Sequence, residues 1–154
     1  MWGDVVTVSD VASIATALGV GVGAVQLIIS QRQTVTAFED SLNHEYRKLA
    51  STIPTQALLG EDLNQEAHEK HLDEFYHYFD LCNSQVFLRQ KKRISKKTWD
   101  FWCDGIRSNL ERPAFRRAWT NIGVRAGDDF SELKKLIAEG YQTDPKSWKS
   151  LRGE

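Results

Sequence analysis

The first 31 residues contain no lysine or arginine, although the chain has 20 of these residues in total. A secretory signal peptide needs a basic segment before its apolar run and a small-residue cleavage site after it. This sequence has neither, because its only early charges are Asp4 and Asp10 and because Ser30-Gln31-Arg32 does not fit a cleavage site. The sequence therefore argues against a cleaved leader.

Cysteine and proline are also scarce. Only Cys82 and Cys103 could form a disulfide, and in a reducing cytoplasm both are expected to be free, buried thiols. The first proline is Pro54, so nothing before it breaks a helix outright. One long helix can therefore occupy the N-terminal third of the chain.

An excess of positive charge is lacking as well. The segment from Arg32 onward holds all 20 basic residues and all but two of the 21 acidic residues. General nucleic-acid binders usually present a strongly basic face. The nearly neutral balance argues against direct nucleic-acid binding.

Residues 11–30 form a long run without a charged side chain. A hydrocarbon core about 30 Å thick needs about 20 residues at about 1.5 Å each, so the run predicts a transmembrane helix at residues 11–31. Lys and Arg accumulate on the cytoplasmic side of such helices. We therefore expect a single-pass protein of the bacterial inner membrane, with residues 1–10 extracytoplasmic and the C-terminus in the cytoplasm.

Small and polar residues follow one narrow stripe through this run and its flanks. Their spacing alternates between three and four, which is the heptad pattern of one helix face. The members are Ser9, Ala12, Thr16, Gly19, Gly23, Gln26, Ser30, Gln33 and Ala37. The stripe either lets helices pack closely in lipid or faces the water-filled lumen of a ring. Gln26 would be costly against lipid, so we expect it to face another helix or water.

The remaining sequence predicts an all-α fold, in which the transmembrane helix continues into a small cytoplasmic helical bundle. Apolar residues at helical spacing extend the first helix towards Pro54. They are Val35, Phe38, Leu42, Tyr46, Leu49 and Ile53. We expect the cytoplasmic domain to cover residues 32–140 and a flexible tail to follow at residues 141–154.

A connection is predicted at residues 54–61, because it combines a proline and a glycine. A long aromatic helix should follow from about Asp62 to Gln90. A short last helix is predicted from Ser131 to Gly140. These assignments rest on apolar periodicity and on turn residues.

Two more helices are predicted between these segments. Ser95 suits the N-cap of the first, while Pro113 suits the first turn of the second and Gly123 its C-cap. Apolar residues at helical spacing should form their buried faces. They are Trp99, Trp102, Ile106, Leu110, Ala114, Phe115, Ala118, Trp119 and Ile122.

Basic residues cluster where two of the predicted helices meet. They are Arg89, Lys91, Lys92, Arg93, Lys96 and Lys97. The simplest interpretation is a solvated turn. The cluster could also bind anionic lipid headgroups, or a cytoplasmic protein or ribonucleoprotein partner. No aromatic residue interrupts it, which argues against base stacking.

No pattern predicts an enzyme. His68, His71, Glu74 and His77 recur in steps of three, which spreads them around half of a helix and prevents them from binding one ion together. Neither a nucleotide-binding glycine loop nor the closely spaced Arg and His of small helical nucleases is present. We expect no metal and no cofactor.

The segment 73–119 resembles a group of small bacterial single-pass membrane proteins of unassigned function. The resemblance rests on a W-x-x-W-x-x-G-[IL] helix followed by a P-x-F-x-x-x-W helix. The matching residues here are Trp99, Trp102, Gly105, Ile106, Pro113, Phe115 and Trp119. These are packing motifs, so the resemblance implies a fold and not an activity.

In overall plan the chain is also similar to the membrane accessory proteins of type VI-B CRISPR systems. That resemblance implies a homo-oligomeric pore, or a membrane-perturbing assembly, with a role in antiviral defence. The Arg-His signature attributed to their soluble domain is missing here, so no nuclease chemistry is implied. The alternative hypothesis is a membrane-tethered binding or adaptor module, which docks a partner through its basic turn.

Overall fold

A computed structural model describes the backbone of residues 8–148 and the side chains of residues 25–148. All regular secondary structure in this part of the chain is helical, which confirms the predicted all-α class. Within the same part, no helix combines the length and the apolar character that crossing a membrane requires. The side chains of residues 11–24, which make up most of the predicted transmembrane segment, lie outside the described residues.

The helices follow one another with short connections. They are α1 (Val8–Ala50), α2 (Thr55–Leu58), α3 (Gln65–Lys70), α4 (Leu72–Gln90), α5 (Lys96–Glu111), α6 (Pro113–Arg125), α7 (Ser131–Ala138) and a 3₁₀ helix at Pro145–Ser147. The chain forms two compact units, residues 1–38 and 39–154. Helix α1 contributes residues to both units.

Helix α4 is the centre of the second unit and packs against α6, α7 and the 3₁₀ helix. Its inner face presents Phe75, Tyr78 and Phe79, all of them buried. The rings of Phe75 and Tyr78 meet Phe115 edge to face at centroid distances of 5.0 and 5.1 Å. Phe79 meets Trp119 in the same way at 5.0 Å. The aromatic residues therefore form the core of this unit.

Helices α5 and α6 begin as predicted. The Ser95 hydroxyl accepts a hydrogen bond from the Thr98 N–H, and Pro113 occupies the first turn of α6. The predicted apolar faces are buried, apart from Trp119, which is half-buried. The buried members are Trp99, Trp102, Ile106, Leu110, Ala114, Phe115, Ala118 and Ile122. Neither Cys82, which is buried, nor Cys103, which is half-buried, forms a disulfide.

The predicted long helix from Asp62 to Gln90 is wrong in its first part. The chain bends at His71 (φ −107°, ψ 18°), which ends α3 and precedes α4. The Asn64 side chain caps α3 by accepting a hydrogen bond from the Ala67 N–H. Apolar residues keep their helical spacing through the bend, so the sequence pattern does not mark it. The predicted connection at residues 54–61 also holds the short helix α2.

Gly123 was predicted to be the C-cap of α6, and this prediction is wrong. The helix continues to Arg125, and the Ala126 N–H donates to the Ile122 carbonyl. The absence of a side chain at Gly123 instead leaves room for Trp119, because a Cβ there would lie 3.3 Å from the indole ring. The glycine serves packing and not helix termination.

The segment 141–154, for which a flexible tail was predicted, contains regular structure in its first half. The 3₁₀ helix packs against α4, and Pro145 within it is buried. The Trp148 indole N–H donates to the Thr143 hydroxyl at 2.9 Å. Residues 149–154 lie outside the described part of the chain.

Candidate functional site

The described end of the apolar run exposes apolar side chains over more than half of the helix circumference. Val25, Leu27, Ile28 and Ile29 are 56, 67, 51 and 49% exposed. Successive residues of a helix lie about 100° apart, so these four side chains cover an arc of about 200°, with Val25 and Ile29 on nearly the same side. No single face of the helix can bury them all against one neighbour.

The polar stripe predicted from the sequence continues through this segment. Gln26, Ser30, Gln33 and Ala37 are all exposed, and helical geometry places them within a sector of about 60°. The other predicted members, Ser9, Ala12, Thr16, Gly19 and Gly23, have side chains outside the described residues. The stripe is therefore narrow and polar where it can be followed.

The threonines near the stripe are hydrogen-bonded to their own helix. The Thr34 hydroxyl donates to the Ser30 carbonyl at 2.9 Å, and the Thr36 hydroxyl donates to the Arg32 carbonyl at 3.0 Å. Such bonds reduce the cost of placing a hydroxyl in an apolar environment. The side chains on this surface that most need a hydrogen-bond partner are the carboxamides of Gln26 and Gln33.

Glu39 joins the last part of α1 to the start of α5. It is 9% exposed. One carboxylate oxygen accepts from the Ser95 N–H and the other from the Thr98 hydroxyl, both at 2.6 Å. The carboxylate thus satisfies a free N–H at the positive end of the α5 dipole. Sequence analysis missed Glu39, because its partners lie more than 50 positions away.

Arg89 was predicted to belong to the exposed basic turn, and the structure corrects this. It is 4% exposed. Its guanidinium donates to both carboxylate oxygens of Asp144, at 2.8 and 2.5 Å, and to the Ile94 carbonyl at 2.7 Å. The Arg89 hydrogen bonds hold the pKa of the Asp144 carboxyl below its usual range. Arg89 is therefore a structural residue of the fold.

The other predicted basic residues are exposed on the turn between α4 and α5 and on the first turn of α5. They are Lys91, Lys92, Arg93, Lys96 and Lys97. The Lys96 ammonium pairs with Asp100 at 2.7 Å, and that of Lys91 lies 5.6 Å from the Phe87 ring centroid. Lys92 has a positive φ of 60°, which reverses the chain after α4. The turn thus presents a compact basic surface.

The histidines occupy separate environments. His68 is buried and stacks on Phe75 at 5.9 Å, and burial lowers its pKa. His71 lies 3.4 Å from Glu74, and His77 is exposed. In the part of the chain that is described, no three His, Cys, Asp or Glu side chains are placed to hold one metal ion.

Comparisons with known proteins identify no relative: no protein-family model matches, and no curated protein or solved structure matches significantly. The resemblances that rest on the tryptophan motifs and on overall plan are therefore still predictions. Function has to be argued from the surfaces described above.

Proposed function

We propose that this chain is a single-pass bacterial inner-membrane protein whose N-terminal helices associate into a homo-oligomeric pore or membrane-perturbing assembly. The observation that carries the proposal is the exposure of apolar side chains over a wide arc of residues 25–29, beside a narrow polar stripe. A helix with so wide an apolar surface is stable where lipid or other helices surround it. The stripe then needs a neighbouring helix or water, because carboxamides are costly against lipid tails.

The proposed orientation follows from charge. All lysines and arginines lie from Arg32 onward, so the helical domain belongs on the cytoplasmic side. There it would control the assembly. We propose no enzymatic activity and no cofactor. A role in CRISPR-associated antiviral defence is supported only by the resemblance in overall plan.

A second candidate function is a membrane-tethered adaptor. The observation that favours it is the exposed basic surface formed by Lys92, Arg93 and Lys97, which follows a buried, fixed Arg89. A rigid basic turn suits anionic headgroups or an acidic protein or ribonucleoprotein partner. In this function α1 is only an anchor and no defined oligomer is needed.

Two measurements on the detergent-extracted full-length chain separate the two functions. The first is particle mass, and the second is dye leakage from vesicles that contain phosphatidylglycerol. A pore requires a defined oligomer and leakage. A uniform oligomer that never causes leakage, with or without its native partner, contradicts the pore. A monomer that binds anionic vesicles and loses that binding in Lys92→Glu/Lys97→Glu supports the adaptor.

A further inference from the structure

A cavity of about 230 Å³ lies between the last part of α1, α4 and α5, within residues 39–154. Its walls are largely aromatic, with Tyr46, Tyr78 and Trp102 among them, and Gly105 forms part of one side. Ligand pockets for drug-sized molecules usually measure about 300–1,000 Å³. The space therefore suits a molecule of one or two rings.

The polar groups of the aromatic walls are used within the protein. The Trp102 indole N–H donates to the Asn43 carboxamide at 2.8 Å, and the Tyr78 hydroxyl accepts from the Asn109 carboxamide at 2.9 Å. The Cys82 thiol also lines the cavity, and burial raises its pKa to about 12, so it stays neutral. These bonds hold the aromatic walls in place, and Asp104 is the one lining residue that carries a charge.

Gln85 is the exception. Its side chain lines the cavity and is only 3% exposed, yet none of the described side-chain hydrogen bonds involves it. The carboxamide is not fully enclosed by protein atoms, so a ligand in the cavity can reach it. The carboxamide offers one acceptor and two donors, which can pair with an adjacent donor and acceptor on a planar ligand.

We propose that this cavity binds a small, neutral heteroaromatic molecule of purine size, which pairs its donor-acceptor edge with Gln85 and stacks its ring against the aromatic walls. Size limits the ligand to one or two rings. The lining includes the carboxylate of Asp104 and no cation, so it disfavours anionic groups, which would be buried without a partner. The unpaired carboxamide selects ligands with an amide-like edge over purely apolar ones. The inference does not depend on the membrane proposal.

Adenine is the test probe, with toluene as an apolar control and AMP as a charged control. Binding to the full-length chain is followed by tryptophan fluorescence, since Trp102 lines the cavity, and by thermal unfolding. We expect saturable adenine binding that raises the unfolding temperature. AMP should not bind.

Three variants make the test specific. Gln85→Leu should weaken adenine binding about 10- to 100-fold, which is the value of a bidentate pair. Gly105→Leu should fill the cavity and abolish binding, because a Cβ at Gly105 meets no atom within 4 Å. Gln56→Leu, at an exposed glutamine outside the cavity, is the matched control and should bind normally.

Three outcomes would overturn the proposal. The first is that adenine has no saturable effect on the unmodified protein. The second is that Gln85→Leu binds adenine as tightly as the unmodified protein does. The third is that toluene binds as well as adenine, which would mean that the cavity is merely apolar. If Gln85→Leu does not fold, Gly105→Leu still decides whether adenine occupies this space.

Discussion

Arg89 and Asp144 are 55 positions apart and form a bidentate ion pair, with two nitrogens of the guanidinium donating to the two carboxylate oxygens. The arginine is buried at the end of α4, while the Asp144 side chain is 32% exposed. The pair fixes the segment after α7 onto α4. It also explains why the most basic stretch of the sequence presents one cation fewer than its composition suggests.

Replacing Arg89 should destabilise the domain. Arg89→Ala removes one partner of a largely buried pair, which costs about 3–5 kcal/mol in well-buried cases. We expect a value near the lower end, about 3 kcal/mol, because Asp144 is partly solvated. Urea unfolding measures the loss. Lys92→Ala, at an exposed residue of the same turn, should change stability by less than about 0.5 kcal/mol, and equal losses in both variants would contradict the assignment.

Acid should weaken this pair. The pKa of Asp144 is lowered in the folded state from its ordinary value of 3.8, so its stabilising contribution is complete above that value. It is lost as the pH falls below about 4 through the folded-state pKa. Unfolding curves of the native chain and of Asp144→Asn should therefore converge at low pH. Curves that stay parallel from neutral to strongly acidic pH would show that the carboxylate charge is not involved.

We expect His68 to give the folding stability a second pH dependence, at higher pH. Burial lowers its pKa from 6.5, so the unfolded chain takes up a proton more readily than the folded chain does. The folded state therefore loses stability as the pH falls below about 6.5. His68→Gln should flatten the stability curve between about pH 6.5 and 5. The comparison variant is His77→Gln, at an exposed histidine, and the same flattening in both variants would refute the assignment to His68.

Glu39 should contribute strongly to the junction between α1 and α5. Glu39→Ala leaves the Ser95 N–H and the Thr98 hydroxyl without their partner. Hydrogen bonds to a charged group contribute about 1.5–3 kcal/mol, and we expect a loss in this range. Hydrogen exchange of the Ser95 amide should become faster. Asp40→Ala is the matched control, since Asp40 is exposed, and a comparable loss there would contradict the specific role of Glu39.

The stripe on α1 gives a test of assembly. If it faces a lumen, Gln26→Leu should dewet the channel and abolish leakage while the particle mass is unchanged. If it is the helix contact, Gly23→Leu should dissociate the oligomer, because the backbones can no longer approach closely. Ile28→Leu, off the stripe, is the control. Variants on the stripe that change neither mass nor leakage would argue against both roles.

Local patterns in the sequence were sufficient to predict where a helix starts when a capping residue or a proline marks the start. Ser95 and Pro113 mark helix starts through bonds and angles within one turn, so their roles were predicted correctly. The buried faces of α5 and α6 follow from spacing alone. The bend at His71 was missed, because no proline or glycine marks it and the apolar spacing continues across it.

Features that depend on distant partners could not be read from the sequence. Glu39 looks like a solvent-facing charge in an amphipathic helix until Ser95 and Thr98 are placed beside it. Arg89 was counted with its basic neighbours, since a linear sequence does not show which cation turns inward. The Gln85 cavity likewise exists only once α1, α4 and α5 are packed.

The ion pair between Arg89 and Asp144 also has a consequence for the order of folding. During synthesis, α4 is complete long before Asp144 is made, so the buried guanidinium has no carboxylate partner while α5, α6 and α7 are forming. A contact that closes so long a loop is entropically costly to form early. The last described residues therefore complete the packing of α4, and a chain interrupted before Asp144 would leave the Arg89 guanidinium without its carboxylate partner.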